Sequence, residues 1–386
     1  MDKKPERLMP EVRFKGFTDD WEQHKLRKVA CINPKTNIPD NFKYVDLESV
    51  VGTSLIKAKL TTKQLAPSRA QRVAKKGDIF YQTVRPYQKN NFLFDINNYD
   101  FQYVFSTGYA QLRSEINNYF LFSYLQRQRF VNLILRRSTG TSYPAISSKD
   151  LSEIKIIFPR NSKEQENIGK IINLIDALIT LQQRKLEQLK QLKKAILQII
   201  ASNRLLLHTK KVDMIKVRVA DIYKITRGNV LSRSEISNVR TSKYPYPVYS
   251  SQTKNHGLMG YYKNFLFKNA ITWTTDGANA GTVKYRKGRF YSTNVNGVLL
   301  SSEGLANQLT AELLNLVAFK YVSHVGNPKL MNNTMGEIIF NIPKSVETQQ
   351  YFSGCIESVI DLIGKQEKAT DKLNKLKKYL LQKLFI

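Results

Sequence analysis

The 386-residue sequence is short of the residues that build metal sites, disulfide frameworks and acid–base centres. Cys31 and Cys355 are its only cysteines. Two thiols make no disulfide framework, and no Cys or His pair has zinc-site spacing. His24, His208, His256 and His324 stand isolated along the chain, so no Ser/His/Asp set can be nominated. No apolar run approaches the ~20 residues needed to span a bilayer. No Lys/Arg-rich amphipathic stretch lies beside a hydrophobic anchor, which argues against a membrane surface. The start, Met1-Asp2-Lys3-Lys4-Pro5-Glu6-Arg7, has no apolar signal region. The expected compartment is reducing cytoplasm.

Phosphate and catalytic motifs are missing too. There is no Walker-type Gly-Lys-Ser/Thr. Asp276-Gly277-Ala278-Asn279-Ala280-Gly281 lacks G-x-G-x-x-G spacing and a following helix; Thr282-Val283-Lys284-Tyr285 reads as strand, so the segment is expected to be a turn. Asn33-Pro34-Lys35 is not the Asn-Pro-Pro-aromatic loop with which an amino-methyltransferase holds its target base. Glu153-x-Lys155 has the look of a nuclease carboxylate–lysine pair, but it sits in a boundary segment that recurs as Glu337-x-Ile339. No catalytic residue and no metal ligand is expected in this chain.

Acidic residues are also scarce. Against 61 Lys+Arg stand 31 Asp+Glu, leaving a formal charge of +30. Residues 1–200 carry 34 basic and 19 acidic groups and residues 201–386 carry 27 and 12, a net +15 in each part. The excess is therefore no tail. Two equally basic halves suit two contacts with a polyanion, although a generally basic protein of the ribosome-associated kind has similar totals.

What is present is a repeat. Leu189-Lys190-Gln191-Leu192-Lys193-Lys194-Ala195-Ile196-Leu197-Gln198 returns, 184 residues later, as Leu373-Asn374-Lys375-Leu376-Lys377-Lys378-Tyr379-Leu380-Leu381-Gln382. The run from Leu151 to Pro159 returns at Met335 to Pro343, and Phe105-Ser106-Thr107 at Tyr291-Ser292-Thr293. Lys28-Val29-Ala30-Cys31-Ile32 has a looser echo in Val219-Ala220-Asp221-Ile222-Tyr223. Strands are predicted over 78–84 and 270–274, and helices over 119–136 and 306–325. A long helix then follows each of Pro159 and Pro343. Ile168, Ile171, Ile172, Ile175, Leu178, Ile179, Leu186, Leu189, Leu192, Ile196 and Ile200 mark an apolar face on the first. Phe352, Ile356, Val359, Ile360, Ile363, Leu373, Leu376, Leu380 and Leu384 mark one on the second, with polar breaks at Gln182 and Gln366. The two stripes are expected to pack on each other, antiparallel; the other possibility is that each helix folds back on its own domain.

Basic residues interleaved with aromatics and amides supply the candidate nucleic-acid contacts. In the first half these are Arg85, Tyr87, Lys89 and Asn90, beside Gln88 and Asn91, and the cluster Arg136, Arg137, Ser138, Thr139, Thr141, Tyr143, with Gly140 allowing a turn. In the second half they are Arg227, Arg240, Lys243, Tyr244, Tyr249, Ser250, Gln252, Lys254 and Asn255, and then Lys284, Arg286 and Lys287. Any one of them can equally be a solvated surface group or a phosphate contact, and Tyr244, Tyr246 and Tyr249 can be core.

In three places the sequence resembles type I restriction specificity subunits. These are Pro10-Glu11-Val12-Arg13-Phe14-Lys15-Gly16-Phe17-Thr18-Asp19-Asp20-Trp21-Glu22; Gly77-Asp78-Ile79-Phe80-Tyr81-Gln82-Thr83-Val84-Arg85-Pro86; and Gly140-Thr141-Ser142-Tyr143-Pro144-Ala145-Ile146, leading through Leu151, Ile154, Ile156, Pro159, Glu164 and Gln165 into the long helix. The second half departs: Trp21 has no counterpart near 215–219, and Glu164-Gln165 gives way to Glu347-Thr348-Gln349. The resemblance implies an α+β chain with two homologous α/β target-recognition domains separated by two long helices packed as an antiparallel coiled coil. Its segments would be domain 1 (1–160), spacer helix 1 (161–203), domain 2 (204–343) and spacer helix 2 (344–386). It further implies a non-catalytic subunit on double-stranded DNA, joined by two methyltransferase subunits that bring S-adenosylmethionine and by restriction subunits that use ATP and magnesium. From the residues alone, a stand-alone DNA-binding regulator, or a nuclease or methyltransferase in its own right, remain the alternatives.

Overall fold

The structure, a computed structural model, describes residues 8–202, 206–207, 210–251 and 254–386. Two compact units divide the chain. The first is Met1–Gln183 with Ala369–Ile386, and the second is Arg184–Lys368. No helix among the described residues is long and apolar enough to cross a membrane.

In the first unit, Glu22–Lys25 pairs antiparallel with Lys155–Phe158. One four-stranded sheet runs in the order Ala30–Ile32, Tyr109–Ser114, Ile79–Gln82, Phe92–Leu93, and another in the order Lys59–Thr62, Asn41–Val45, Tyr103–Ser106, Ala70–Val73. Ile79–Gln82 is buried at every position, the polar Gln82 included, and Phe80 stacks on Phe105 with centroids 3.6 Å apart. The helix predicted over 119–136 is two helices, Asn118–Leu125 and Gln128–Leu135. Between them Arg127 is extended (φ −66, ψ 142). Its buried guanidinium lies 3.7 Å from the ring of Tyr124, three residues earlier, and donates to the distant Ile386 carbonyl at 2.5 Å, a tertiary contact that helical periodicity does not register.

The second unit repeats the plan with a larger sheet. Met214–Arg218 pairs antiparallel with Ile339–Pro343. Six strands follow in the order Lys224–Arg227, Asn296–Leu300, Phe267–Thr274, Val283–Ser292, Tyr246–Tyr249, Leu258–Tyr262. The predicted helix over 306–325 is Gln308–Ala318, started by an Asn307–Thr310 capping box, and a single turn at Phe319–Tyr321.

Hydrogen bonds set the register of the repeat. The Leu26 amide donates to Ile154 at 2.8 Å and the Val219 amide to Ile338 at 3.0 Å. Leu26, not Lys28, is thus the counterpart of Val219, which corrects the loose echo noted above. Gln165 Nε2 donates to the Pro159 carbonyl and Gln349 Nε2 to the Pro343 carbonyl, both at 2.8 Å and both buried. Gln349 therefore takes the place of Gln165. Glu164 has no equivalent partner set: it accepts from Arg13 at 2.7 and 2.9 Å and from Trp21 Nε1 at 3.4 Å. Thr348 stands at its position, in the half that lacks a Trp21.

The long helices are Ser162–Ala201, 40 residues, and Val346–Lys383, 38 residues. Each contributes to both units. In the first, Ile168 and Ile172 share an apolar cluster with Leu380, Leu381, Leu384 and Phe385, and Asp176 pairs with Lys377 at 2.5 Å. In the second, Leu197 and Ile200 share a cluster with Phe352 and Ile356, and Lys190 pairs with Glu367 at 3.1 Å. Rising numbers in one helix meet falling numbers in the other, so the pairing is antiparallel in each unit. Leu178, Leu192 and Leu376, expected in the buried stripe, are 37%, 50% and 45% exposed. Two helices bury one seam each, and these side chains lie outside it.

Gln165→Leu and Gln349→Leu each leave a buried proline carbonyl without its donor. Denaturant unfolding should show a loss of roughly 1–3 kcal/mol for each variant. Unchanged stability would mean that the glutamine clamps do not hold the helix starts.

Candidate nucleic-acid interface

A strand end and a returning loop meet in the first unit. Val84 and Thr139 both bridge to Ala145. The Arg85 amide donates to Pro144 at 2.8 Å, and the Ile146 amide to Thr83 at 3.0 Å. Gly140 makes the turn at φ +87. This crossing gathers Arg85, Thr139, Thr141 and Tyr143, with the Arg85 guanidinium 4.3 Å from the centre of the exposed Tyr143 ring. Arg85 and Lys89 flank the turn Pro86–Gln88 with left-handed backbones, φ 53 and 56. Such conformations are uncommon for side-chain-bearing residues and concentrate at functional sites. Tyr87 is exposed, Asn90 Oδ1 accepts from the Gly52 amide at 2.9 Å, and Asn91 is buried, accepting from the Gln82 amide at 2.8 Å. Ser138 Oγ donates to Ile134 at 3.0 Å at the helix end. Arg136 and Arg137 line a cavity of about 500 Å³ together with Arg127, Arg129 and Lys155.

The same crossing recurs in the second unit. Asp276 and Ser323 bridge to Lys329, the Gly277 amide donates to Pro328 at 2.9 Å, and the Leu330 amide to Thr275 at 2.8 Å. Gly277 thus stands where Arg85 does, and His324-Val325-Gly326-Asn327 where Gly140-Thr141-Ser142-Tyr143 does. Sequence reading missed His324, Asn327 and Lys329 as candidates. The available signal was the 184-residue offset that carries Pro144 to Pro328. The Asp276–Gly281 segment is the turn expected, now placed at this crossing.

The candidates named for the second half lie in several places. Arg227 donates to the Asn294 carbonyl at 2.7 Å and Arg240 to the Pro245 carbonyl at 3.1 Å. Lys243 sits 5.8 Å from the Tyr244 ring centre. The Ser250 amide donates to Gly257 at 2.9 Å. Gln252 and the Lys254 side chain lie outside the described residues, as does His208; Asn255 is left-handed, φ 49. Arg286 is 7% exposed, lies 3.7 Å from the centre of the Tyr249 ring, and donates to Thr272 Oγ1 at 3.1 Å and the His256 carbonyl at 2.9 Å. Burial pulls its guanidinium down to about 10, still charged at neutral pH. Lys284, whose charge burial also disfavours, lines a small polar cavity with Ser250 and Arg286. Lys287 pairs with Glu357 of the second long helix at 2.8 Å, which raises its affinity for the proton.

Arg286 therefore ties the sheet to the 254–257 turn, whereas Arg85 stacks at a surface crossing. Arg286→Leu should lower thermal stability by roughly 2 kcal/mol through its lost charge-assisted bonds. Arg85→Ala should cost less than about 1 kcal/mol. Equal losses in differential scanning calorimetry would contradict this division.

The chain matches the family described as type I restriction modification DNA specificity domain twice, over residues 18–191 and 211–376. A Mycoplasma pneumoniae type I specificity subunit N-terminus is 42% identical over 124 residues, which are 31% of this chain and 65% of that protein. The chain thus spans just under two thirds of that relative's length. Another M. pneumoniae type I specificity subunit is 29% identical over 233 residues, 60% of this chain and 81% of that protein. The type I restriction–modification system S subunit from M. genitalium shares the fold, with a TM-score of 0.70 over 98% of this chain and 99% of that one, at 16% identity. Two copies of the domain, on a fold shared from end to end, place the chain: it belongs to the type I restriction–modification DNA specificity family.

Proposed function

We propose that this chain reads a split duplex target, one part with each unit, and directs adenine methylation and restriction by partner subunits. The observation that carries the reading is the duplicated crossing at Val84/Ala145 and Asp276/Lys329. It sets two equivalent loop pairs, differing in side chains, on two units of equal charge. Recognition by base edges needs such variable side chains on a fixed frame. The paired long helices would hold the two readers at a set spacing, so that half-sites are selected by separation as well as by sequence.

The chemistry would belong to the partners. Two methyltransferase subunits would bring S-adenosylmethionine, and restriction subunits would use ATP and magnesium. A duplicated apolar surface supports two like partners: Leu178 and Leu362, and Leu192 and Leu376, are exposed at positions 184 residues apart. Exposed leucines recurring in this way give two copies of one partner equivalent landing points.

Exchanging the region 227–289 for that of a relative, in the presence of the methyltransferase, should change one half of the methylated motif and leave the other. An unchanged motif, or two changed halves, would contradict one reader per unit. Lengthening both long helices by one matched turn should lengthen the unread gap. Sequencing that shows the original gap would remove the helices as its ruler.

A further inference from the structure

Strand register gathers polar side chains on one face of the second unit's sheet. Thr272 stands opposite Lys284, and Thr274 opposite Asn296. The Thr274 amide donates to the Thr282 carbonyl at 3.0 Å. Residues two apart on a strand share a face, so Arg286 lies on it with Lys284. The first unit has the same frame with different contents. Thr83 accepts from the Ile146 amide as Thr275 does from Leu330, so Phe80 and Gln82 correspond to Thr272 and Thr274. Phe92 stands opposite Phe80, and Tyr109 opposite Gln82. Phe80, Phe92 and Tyr109 belong to one aromatic cluster. Thr272, Lys284 and Asn296 stand in their places in the second unit.

These polar groups line a cavity of about 20 Å³. A cavity needs roughly 10–15 Å³ to hold one water, so there is room for a single particle of water or halide size. Lys284 and Arg286 both line it, and no acidic side chain does. Lys284 is half-buried, and Arg286 is more deeply buried still. The two bonds from Arg286, to Thr272 Oγ1 and to the His256 carbonyl, go to uncharged acceptors. The side chains of Thr274, Thr282 and Lys284 have no hydrogen-bond or ion-pair partner among the described residues.

Lys284 and Arg286 also border a larger cleft that contains Glu312, Asp361 and Glu367. Each of these acids is engaged by another lysine: Glu312 by Lys193 at 2.6 Å, Asp361 by Lys365 at 2.7 Å, and Glu367 by Lys190 at 3.1 Å. Burial and then Arg286 disfavour the charge on Lys284, and Glu312 only partly offsets them. Like charges buried together without a counter-ion destabilise a fold, and an anion between them relieves the cost.

We infer that this cavity is a site for one monatomic anion of halide size, with Lys284 and Arg286 supplying the charge and the Thr274 and Thr282 hydroxyls donating to the ion. Phosphate, sulfate and carboxylates carry several oxygens and do not fit a space for one particle. Asn279 lines the cavity from the turn 276–281, so the ion would tie to the sheet the turn that bears the second unit's crossing. Such an ion stabilises the second unit whether or not the chain reads DNA.

Thermal unfolding of the full chain tests this at constant ionic strength, with sodium glutamate replaced stepwise by chloride, bromide or sulfate. General salt effects act on every variant, so the midpoint is taken relative to Lys284→Gln in the same salt. That difference should grow by roughly 2–4 °C and level off with either halide, but not with glutamate or sulfate. Chloride NMR should show line broadening by the unaltered chain that bromide competes away and that Lys284→Gln lacks. Lys287→Gln should keep both effects, because Lys287 pairs with Glu357 and does not line the cavity. If Lys284→Gln does not fold, Thr274→Val serves as the reference, and its chloride response should need roughly threefold more salt. A difference that is the same in every salt, as for a cavity that holds only water, would overturn the site. So would an equal gain in sulfate, or broadening that survives Lys284→Gln.

Discussion

The antiparallel seam between the two long helices is the constraint on which the rest of the structure depends. Neither stripe can be buried within its own helix. The start of the first helix and the end of the second complete the core of one unit, with Ile168 and Ile172 beside Leu384 and Phe385. The end of the first and the start of the second complete the other, with Leu197 and Ile200 beside Phe352 and Ile356. The first unit is therefore built from two distant stretches of chain, and the core of the second joins the two ends of its single stretch. Each long helix contributes to both cores.

Duplication then does two different things. Where the fold needs a fixed part, the copies agree: the Gln165 and Gln349 clamps, the Leu26 and Val219 amides, and the crossings at Pro144 and Pro328. Where a partner would be met, the copies diverge. Arg85 faces a glycine at its equivalent position, Tyr143 an asparagine, and Gln128 a glutamate that neutralises Lys193. A frame that repeats while its loop side chains change is the arrangement that the proposed reading of two unlike half-sites would require.

Much of this was legible in the sequence, for reasons that can be named. The long helices were clear because apolar spacing of three and four over 40 and 38 residues has no other regular solution. The repeat was clear wherever packing or a proline fixes the register. The break at Arg127 was hidden because the Ile386 carbonyl that its guanidinium reaches lies 259 residues away in the chain. Leu192 and Leu376 misled because periodicity gives a face but not the width of the seam that covers it. Arg85 and Tyr143 stood out as candidates because they follow a strong strand and a glycine turn, and the crossing brings the two together. Arg286 has the same composition signal, but its partners on the sheet bury it. The 324–329 loop was overlooked because Asn327 and Lys329 lack the arginine clustering of the first half, although Pro328 marks the place.

The measurement that bears most directly on the central claim is the genomic map of methyladenine in a strain with the gene and in the same strain without it. The account predicts that one motif, two short sequences around a fixed unread gap, disappears with the gene while others persist. Persistence of every methyladenine motif after deletion, in a strain whose adenine methyltransferase is active, would contradict it.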